Sequence, residues 1–132
     1  MTNYYNGKKV TFKGEFLDVT SPLNGEIISK VPRNSSDILD AAVNSAKTAF
    51  LKWSAIPIKE RVQIFYRYKN LLEKNLKELA VLIHEENGKT LAEAIAEVEK
   101  SVELTEFACS LPQLVQGEIL EVSEGVECRS ER

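Results

Sequence analysis

With 132 residues the chain is long enough for one domain and a modest core, and 43% hydrophobic with 28% charged residues is an ordinary globular balance. Lys and Arg total 17 against 20 Asp and Glu, a net charge of −3 with a pI near 5.3, which counts against a nucleic-acid binder because such proteins carry a basic face. No apolar run approaches the ~18 residues a membrane span needs, and Met1 to Lys9 lacks the apolar core of a secretory signal.

The first third reads as extended chain. Val10 to Leu17 and Phe16 to Val19 are rich in β-branched and aromatic residues, Ser21-Pro22-Leu23-Asn24-Gly25-Glu26 is a turn cluster, and Ile27-Ile28-Ser29-Lys30-Val31 forms a second strand. The expectation is a β-hairpin, which needs a surface to lie against because two strands alone are marginal in water.

Past Pro32 the period becomes helical. Ile38, Leu39, Ala42, Val43, Ala46, Ala49, Phe50 and Trp53 form one apolar stripe, with Ser35 or Ser36 as the cap. Pro57 ends this helix and serves as an early residue of the next, where its missing N–H costs nothing. A second helix is expected from about Ile58 to Glu73. Val62, Phe65, Tyr66 and Lys69 share one face and Ile64, Tyr68, Leu71 and Leu72 another, so packing on two sides is expected.

A third helix is expected from Asn75, with Glu78 completing a capping pattern. Leu76, Leu79, Ala80, Leu82 and Ile83 supply its inner side, and Gly88 suits its C-cap. Thr90 and Glu93 have the spacing of a capping box for a fourth helix, whose inner stripe is Leu91, Ile95, Val98, Val102, Thr105 and Cys109. Pro112 kinks or ends it, Gly117 closes the helical region, and Glu118 to Arg132 reads as an extended strand with imperfect alternation. That strand stops at Arg132 without a natural ending, so the chain is expected to continue in a longer parent.

The fold class expected is therefore α+β and mainly helical: a β-ribbon over 1–33, about four helices over 34–117, and a C-terminal strand over 118–132, together a single partial domain.

Chemistry-bearing motifs are few. No two of the six glycines stand two residues apart, so a dinucleotide-binding turn is missing. Gly88-Lys89-Thr90 resembles the end of a phosphate loop, but Ile83 stands where that loop needs glycine, and the tripeptide lies between helices; it reads as a helix cap. Cys109 lies on an apolar stripe with no histidine spaced to activate it, and reads as a buried structural thiol. Cys128 reads as exposed. Two cysteines make neither a metal knuckle nor a disulfide scaffold, and a reducing cytoplasm is the expected compartment. Asn34-Ser35-Ser36 fits a glycosylation sequon that carries little weight without a signal. His84 is the only histidine, which excludes a metal site built on histidines and favours a capping or solvent-facing role.

The order of motifs carries more than any one of them. Tyr5-Asn6-Gly7-Lys8 resembles the Y-x-N-G-x-W opening of aldehyde dehydrogenases, with Lys9 in place of the tryptophan. Val19-Thr20-Ser21-Pro22-Leu23-Asn24-Gly25-Glu26 is similar to their V-x-N-P-A-x-G-E hairpin, and Ala49-Phe50-Leu51-Lys52-Trp53 to the end of their A-x-x-A-F-x-x-W helix. Glu86-Asn87-Gly88-Lys89-Thr90 is similar to their E-x-G-K-T junction. Glu106-Phe107-Ala108-Cys109 followed by Gln116-Gly117-Glu118 resembles the methylmalonate-semialdehyde branch.

This resemblance, which spans nearly the whole chain, implies the N-terminal segment of an aldehyde dehydrogenase: a ribbon and strand of the oligomerisation region, and outer helices of the NAD domain. The parent would form a cysteine thiohemiacetal from an aldehyde and use NAD or NADP. The family's catalytic cysteine, general-base glutamate, oxyanion asparagine and glycine-rich cofactor turn lie further along, and neither Cys109 nor Cys128 matches its nucleophile. No catalytic or cofactor-binding residue is therefore expected here, and the chain alone is expected to be inactive and to hold no cofactor. In the semialdehyde branch an arginine shortly after a Glu-Val pair holds the substrate carboxylate. Here Glu97-Val98 is followed by Lys100, which keeps the charge but loses the bidentate fork, and a solvent-facing lysine is the alternative reading of that position. The expected partners are the remainder of the dehydrogenase or further copies of the chain. An interaction module standing alone, and a small enzyme using Cys109, are the competing readings.

Overall fold

The computed structural model describes residues 2–131; Met1, within the stretch read for a signal, and Arg132, the last residue of the expected strand, lie outside them. The architecture is mainly helical with three separate antiparallel strand pairs among the described residues.

The first pair was not anticipated. Strands β1 (Asn3–Tyr5) and β2 (Lys8–Val10) form a hairpin, turned by Asn6 at φ +53° and Gly7 at φ +70°. Asn-Gly with both residues left-handed is the two-residue turn whose twist matches a hairpin. Val10 therefore ends one hairpin and does not begin the next, which corrects the strand expected from Val10 onward. β3 (Phe16–Thr20) pairs with β4 (Ile27–Pro32) in the hairpin expected there, with a register shift at Val19/Thr20. Ser21 organises its turn: its N–H donates to Glu26 O, and its carbonyl accepts from Gly25 N, both at 2.8 Å. The side-chain amides of Asn3 and Asn34 bond each other reciprocally at 2.7 and 3.0 Å, tying β1 to the residues before the first helix.

Helix α1 (Ser36–Ser54) has Ser35 at its N-cap, but the hydroxyl makes no capping bond. Its apolar stripe is present and unburied: none of its 19 residues is buried, and Leu39, Phe50 and Leu51 lie open. The helix expected from Ile58 is interrupted at Val62, giving α2 (Ile58–Arg61) and α3 (Gln63–Lys74). The packing expected on two sides of α3 is partial. Val62 on the first expected face and Leu72 on the second are buried, whereas Tyr66 on the first and Ile64, Tyr68 and Leu71 on the second are exposed, so each face is covered at one position and otherwise open.

Asn75 separates α3 from α4 (Leu76–Asn87), but not by capping. Its amide donates backwards to Leu71 O at 2.7 Å, and no side-chain cap bond is made, because at φ −105° and ψ 13° it continues the turn of α3. Gly88 caps the C-terminus of α4 at φ +78°, its N–H donating to His84 O at 2.9 Å. α5 (Leu91–Cys109) opens on the capping box: Thr90 Oγ1 accepts from Glu93 N at 3.3 Å, and Glu93 Oε2 accepts from Thr90 N at 2.9 Å.

Ala80, Ala94 and Val98 form the centre of the core, with Leu76, Leu79, Ile83 and Ile95 packed around them. Alanines at both contact points let α4 and α5 approach closely, and α3 lies against the same α5. Of the stripe read for α5, Val98, Thr105 and Cys109 are buried while Leu91 is exposed.

A short α6 (Leu111–Leu114) follows, with Pro112 in its first turn, so Pro112 opens a new helix rather than kinking α5. The single C-terminal strand expected is instead a hairpin, β5 (Glu118–Ser123) with β6 (Val126–Ser130). The turn at Glu124-Gly125 explains the imperfect alternation. Gly117 begins it at a point where a Cβ would strike the Ser130 carbonyl oxygen, which confines that position to glycine.

Candidate functional site

The densest set of polar contacts lies at the junction of α4 and α5. The His84 ring reaches Lys89 O through Nδ1 at 2.5 Å. A carbonyl only accepts, so this nitrogen carries the proton. Lys89 Nζ pairs with the Glu97 carboxylate. Thr90 Oγ1 also donates to Glu93 Oε2 at 2.7 Å, and these bonds, with the Lys89 charge behind them, hold the Glu93 carboxyl below its usual range. The β3–β4 turn closes on this junction: Ser21, itself buried, donates through its hydroxyl to Glu85 O at 3.4 Å. His84 thus ties the linker between α4 and α5 to its own helix, and the junction is occupied by its own contacts.

Cys109 is 7% exposed and Cys128 is exposed, and both thiols are free. Cys109 edges an open depression of about 350 Å3 with Tyr66, Glu106, Ser110, Pro112 and Gln113. None of these is a base suited to deprotonate a thiol, and the only histidine is engaged at the α4–α5 junction. Lys69 bridges two helices, 3.3 Å from Glu73 on its own helix and 3.4 Å from Glu106 on α5. Hydrogen bonding to Glu73 and the charges of both carboxylates raise the Lys69 pKa. The Glu73 spacing was legible in sequence; Glu106 is met only through folding. Lys100, the one position expected to meet a substrate carboxylate, lies 60% exposed and 2.7 Å from Glu103. The described residues bring together no group of three or more His, Cys, Asp or Glu able to hold a metal, and no helix is long and apolar enough to cross a membrane.

What the fold offers in quantity is uncovered apolar surface. The accessible area is 10478 Å2, where a folded monomer of this mass exposes about 7,000 Å2. The excess is larger than the share one partner typically gives to an obligate interface. It is spread over the stripe of α1, a groove of about 320 Å3 lined by Tyr68, Leu71, Leu72, Leu79 and Leu82, and the β5–β6 hairpin, all of whose residues are exposed.

The chain was also compared with known proteins. The aldehyde dehydrogenase family matches residues 10–132. Malonate-semialdehyde dehydrogenase of Pseudomonas aeruginosa is 41% identical over 113 residues, which is 86% of this chain and 23% of that protein. Methylmalonate-semialdehyde dehydrogenase of Oceanimonas doudoroffii superposes with a TM-score of 0.87 at 34% identity, over 96% of this chain and 26% of that one. NADP-dependent glyceraldehyde-3-phosphate dehydrogenase from Bacillus halodurans, solved with NADP, gives 0.85 at 27% identity, over 93% and 26%. The chain spans about a quarter of the length of the relatives it matches.

Proposed function

The chain belongs to the aldehyde dehydrogenase family, and from that premise we propose that it is the N-terminal segment of an NAD(P)-dependent semialdehyde dehydrogenase, inactive by itself. One observation carries the reading: the match runs through nearly all of this chain and covers only about a quarter of its relatives. Residues 1–33 act as a ribbon, 34–117 as the helical part of the NAD-binding domain, and 118–132 as the oligomerisation element. The remaining body of the enzyme lies on the open faces of α1 and α3. The free thiols suit a reducing cytoplasm.

The residues at the start of α5 do not fit a dinucleotide. A pyrophosphate seeks free N–H groups at a helix N-terminus, but at α5 the Thr90 hydroxyl occupies the Glu93 N–H and the Glu93 carboxylate repels an anion. No step of the oxidation is therefore assigned to them. Lys100 is the one residue proposed to meet the substrate carboxylate, after its ammonium turns from Glu103. In a chimera of the Pseudomonas aeruginosa relative carrying this segment, Lys100→Ala then raises KM with little change in kcat; an unchanged KM removes the role.

The test of the main reading is NAD(P)H formation at 340 nm. The purified chain with malonate semialdehyde and either cofactor gives none, and a chimera in which it replaces the matched segment of the relative turns over. Turnover by the chain alone overturns the reading. The uncovered area also favours a second one, an interaction module that acts as a short chain. An antibody to this segment separates the two: a species several times larger than 14.8 kDa in source cells supports the dehydrogenase, and one at 14.8 kDa the module.

A further inference from the structure

Asparagine is followed by glycine at Asn6-Gly7, Asn24-Gly25 and Asn87-Gly88. The pair carries a latent reaction. With no Cβ on the second residue, its backbone nitrogen can approach the asparagine side-chain carbonyl carbon, a nucleophile tethered beside its target. The other asparagines precede Tyr4, Ser35, Ser45, Leu71 and Leu76, whose side chains crowd that approach.

The fold protects two of these pairs. At Asn24 both reacting groups are engaged. The Gly25 N–H donates to Ser21 O at 2.8 Å. The Asn24 amide donates to Glu26 Oε2 at 2.9 Å, and its Oδ1 accepts from Glu26 N at 3.0 Å. At Asn87 the Gly88 N–H donates to His84 O at 2.9 Å as the cap of α4, and the Pro22 ring crowds Gly88.

Asn6 and Gly7 have no such protection. Both are exposed. Neither the Asn6 side chain nor the Gly7 N–H meets a hydrogen-bond partner among the described residues, and nothing lies within 4 Å of a Cβ built on Gly7. Their hairpin is closed only by the pairs Asn3 with Val10, Tyr4 with Lys9 and Tyr5 with Lys8, a length that opens readily.

We propose that Asn6 is a deamidation site, the first to react in the folded chain, and that isoaspartate formed there unmakes the β1–β2 turn. The Gly7 nitrogen bonds to the Asn6 side-chain carbonyl carbon. The bond from that carbon to Nδ2 breaks, and Nδ2 leaves as ammonia with the Gly7 proton. Water then opens the succinimide at either carbonyl, giving aspartate or isoaspartate, with nothing oxidised or reduced. Each product adds one negative charge to a chain of net charge −3. The charge arises beside α1, because Asn6 lines a depression of about 410 Å3 with Asn44, Ser45, Thr48, Ala49 and Lys52. Isoaspartate also routes the backbone through one extra carbon, which a two-residue left-handed turn does not accommodate.

The test is incubation of the 132-residue chain at mildly alkaline pH, followed by peptide mass spectrometry. Asn6 is expected to react roughly tenfold ahead of Asn24 and Asn87, whose attacking N–H groups must first leave a native hydrogen bond. In urea that protection is gone and the three pairs react at comparable rates. The isoaspartyl form, separated by ion exchange, is expected to exchange the amide hydrogens of β1 and β2 faster than the unmodified chain. Equal rates in the folded chain, a lead that persists unchanged in urea, or amide exchange that isoaspartate leaves unaltered overturns the proposal.

Discussion

Pro22, in the turn between β3 and β4, sits directly over Gly88 at the end of α4. A Cβ built on Gly88 would lie 2.9 Å from Pro22 Cγ and 3.3 Å from its Cβ. Two positions far apart in sequence thereby fix how the hairpin lies on the helices, and Gly88 is held to glycine twice, by this contact and by its φ of +78°.

Gly88→Ala is expected to cost at least the ~1–2 kcal/mol of a left-handed alanine, and more because the rigid proline ring cannot yield. Urea unfolding measures it. The cost falls in a Pro22→Ala background, where Cγ is gone; equal costs in both backgrounds would mean that the ring contact contributes nothing.

The capping box at the start of α5 carries a pH dependence. Glu93 has a lowered folded pKa, owing first to the Thr90 side-chain hydrogen bond. Its stabilisation is therefore complete above the unfolded carboxylate range and is lost as pH falls through the folded value. Thermal melts below pH 5 are expected to show the native chain losing an advantage that Glu93→Gln never had. Thr90→Ala costs about 1 kcal/mol at neutral pH.

Lys69 gives the opposite sign. Its pKa is raised, first by the hydrogen bond to Glu73, with desolvation the next largest effect and opposing it, and then by the Glu106 and Glu73 charges. The stabilisation is present below the unfolded lysine pKa and lost as pH rises through the folded one. The melting temperature of the native chain is expected to fall towards that of Lys69→Met above pH 10. Parallel curves from pH 8 to 11 would show that the bridge between α3 and α5 is idle.

Ala94 is fully buried where α5 meets α4. Ala94→Leu forces the helices apart, with an expected cost of about 1–3 kcal/mol. An unchanged unfolding midpoint would mean that the contact is loose enough to take the side chain.

Local signals were read well where they act within a few residues. The Thr90–Glu93 box, the Gly88 cap and the Ser21–Glu26 turn are set by spacing along the backbone, and all three are present. The Asn6-Gly7 turn is equally local, but strands of three residues each are too short to show alternation. Asn75 misled because its amide had two backbone targets, and the carbonyl of Leu71 behind it won over the N–H groups ahead.

The sequence alone determined the course of the long helices, the Ser21–Glu26 turn and the Gly88 cap, the mainly helical class and the family. It could not determine which apolar stripes are covered. The stripes of α1 and α5 look alike in period, yet α5 is buried at Ala94, Val98, Thr105 and Cys109 while α1 is buried nowhere. Periodicity shows that a face can pack, but packing requires a second surface, and only the tertiary structure shows where this chain supplies one and where it leaves the face to another body.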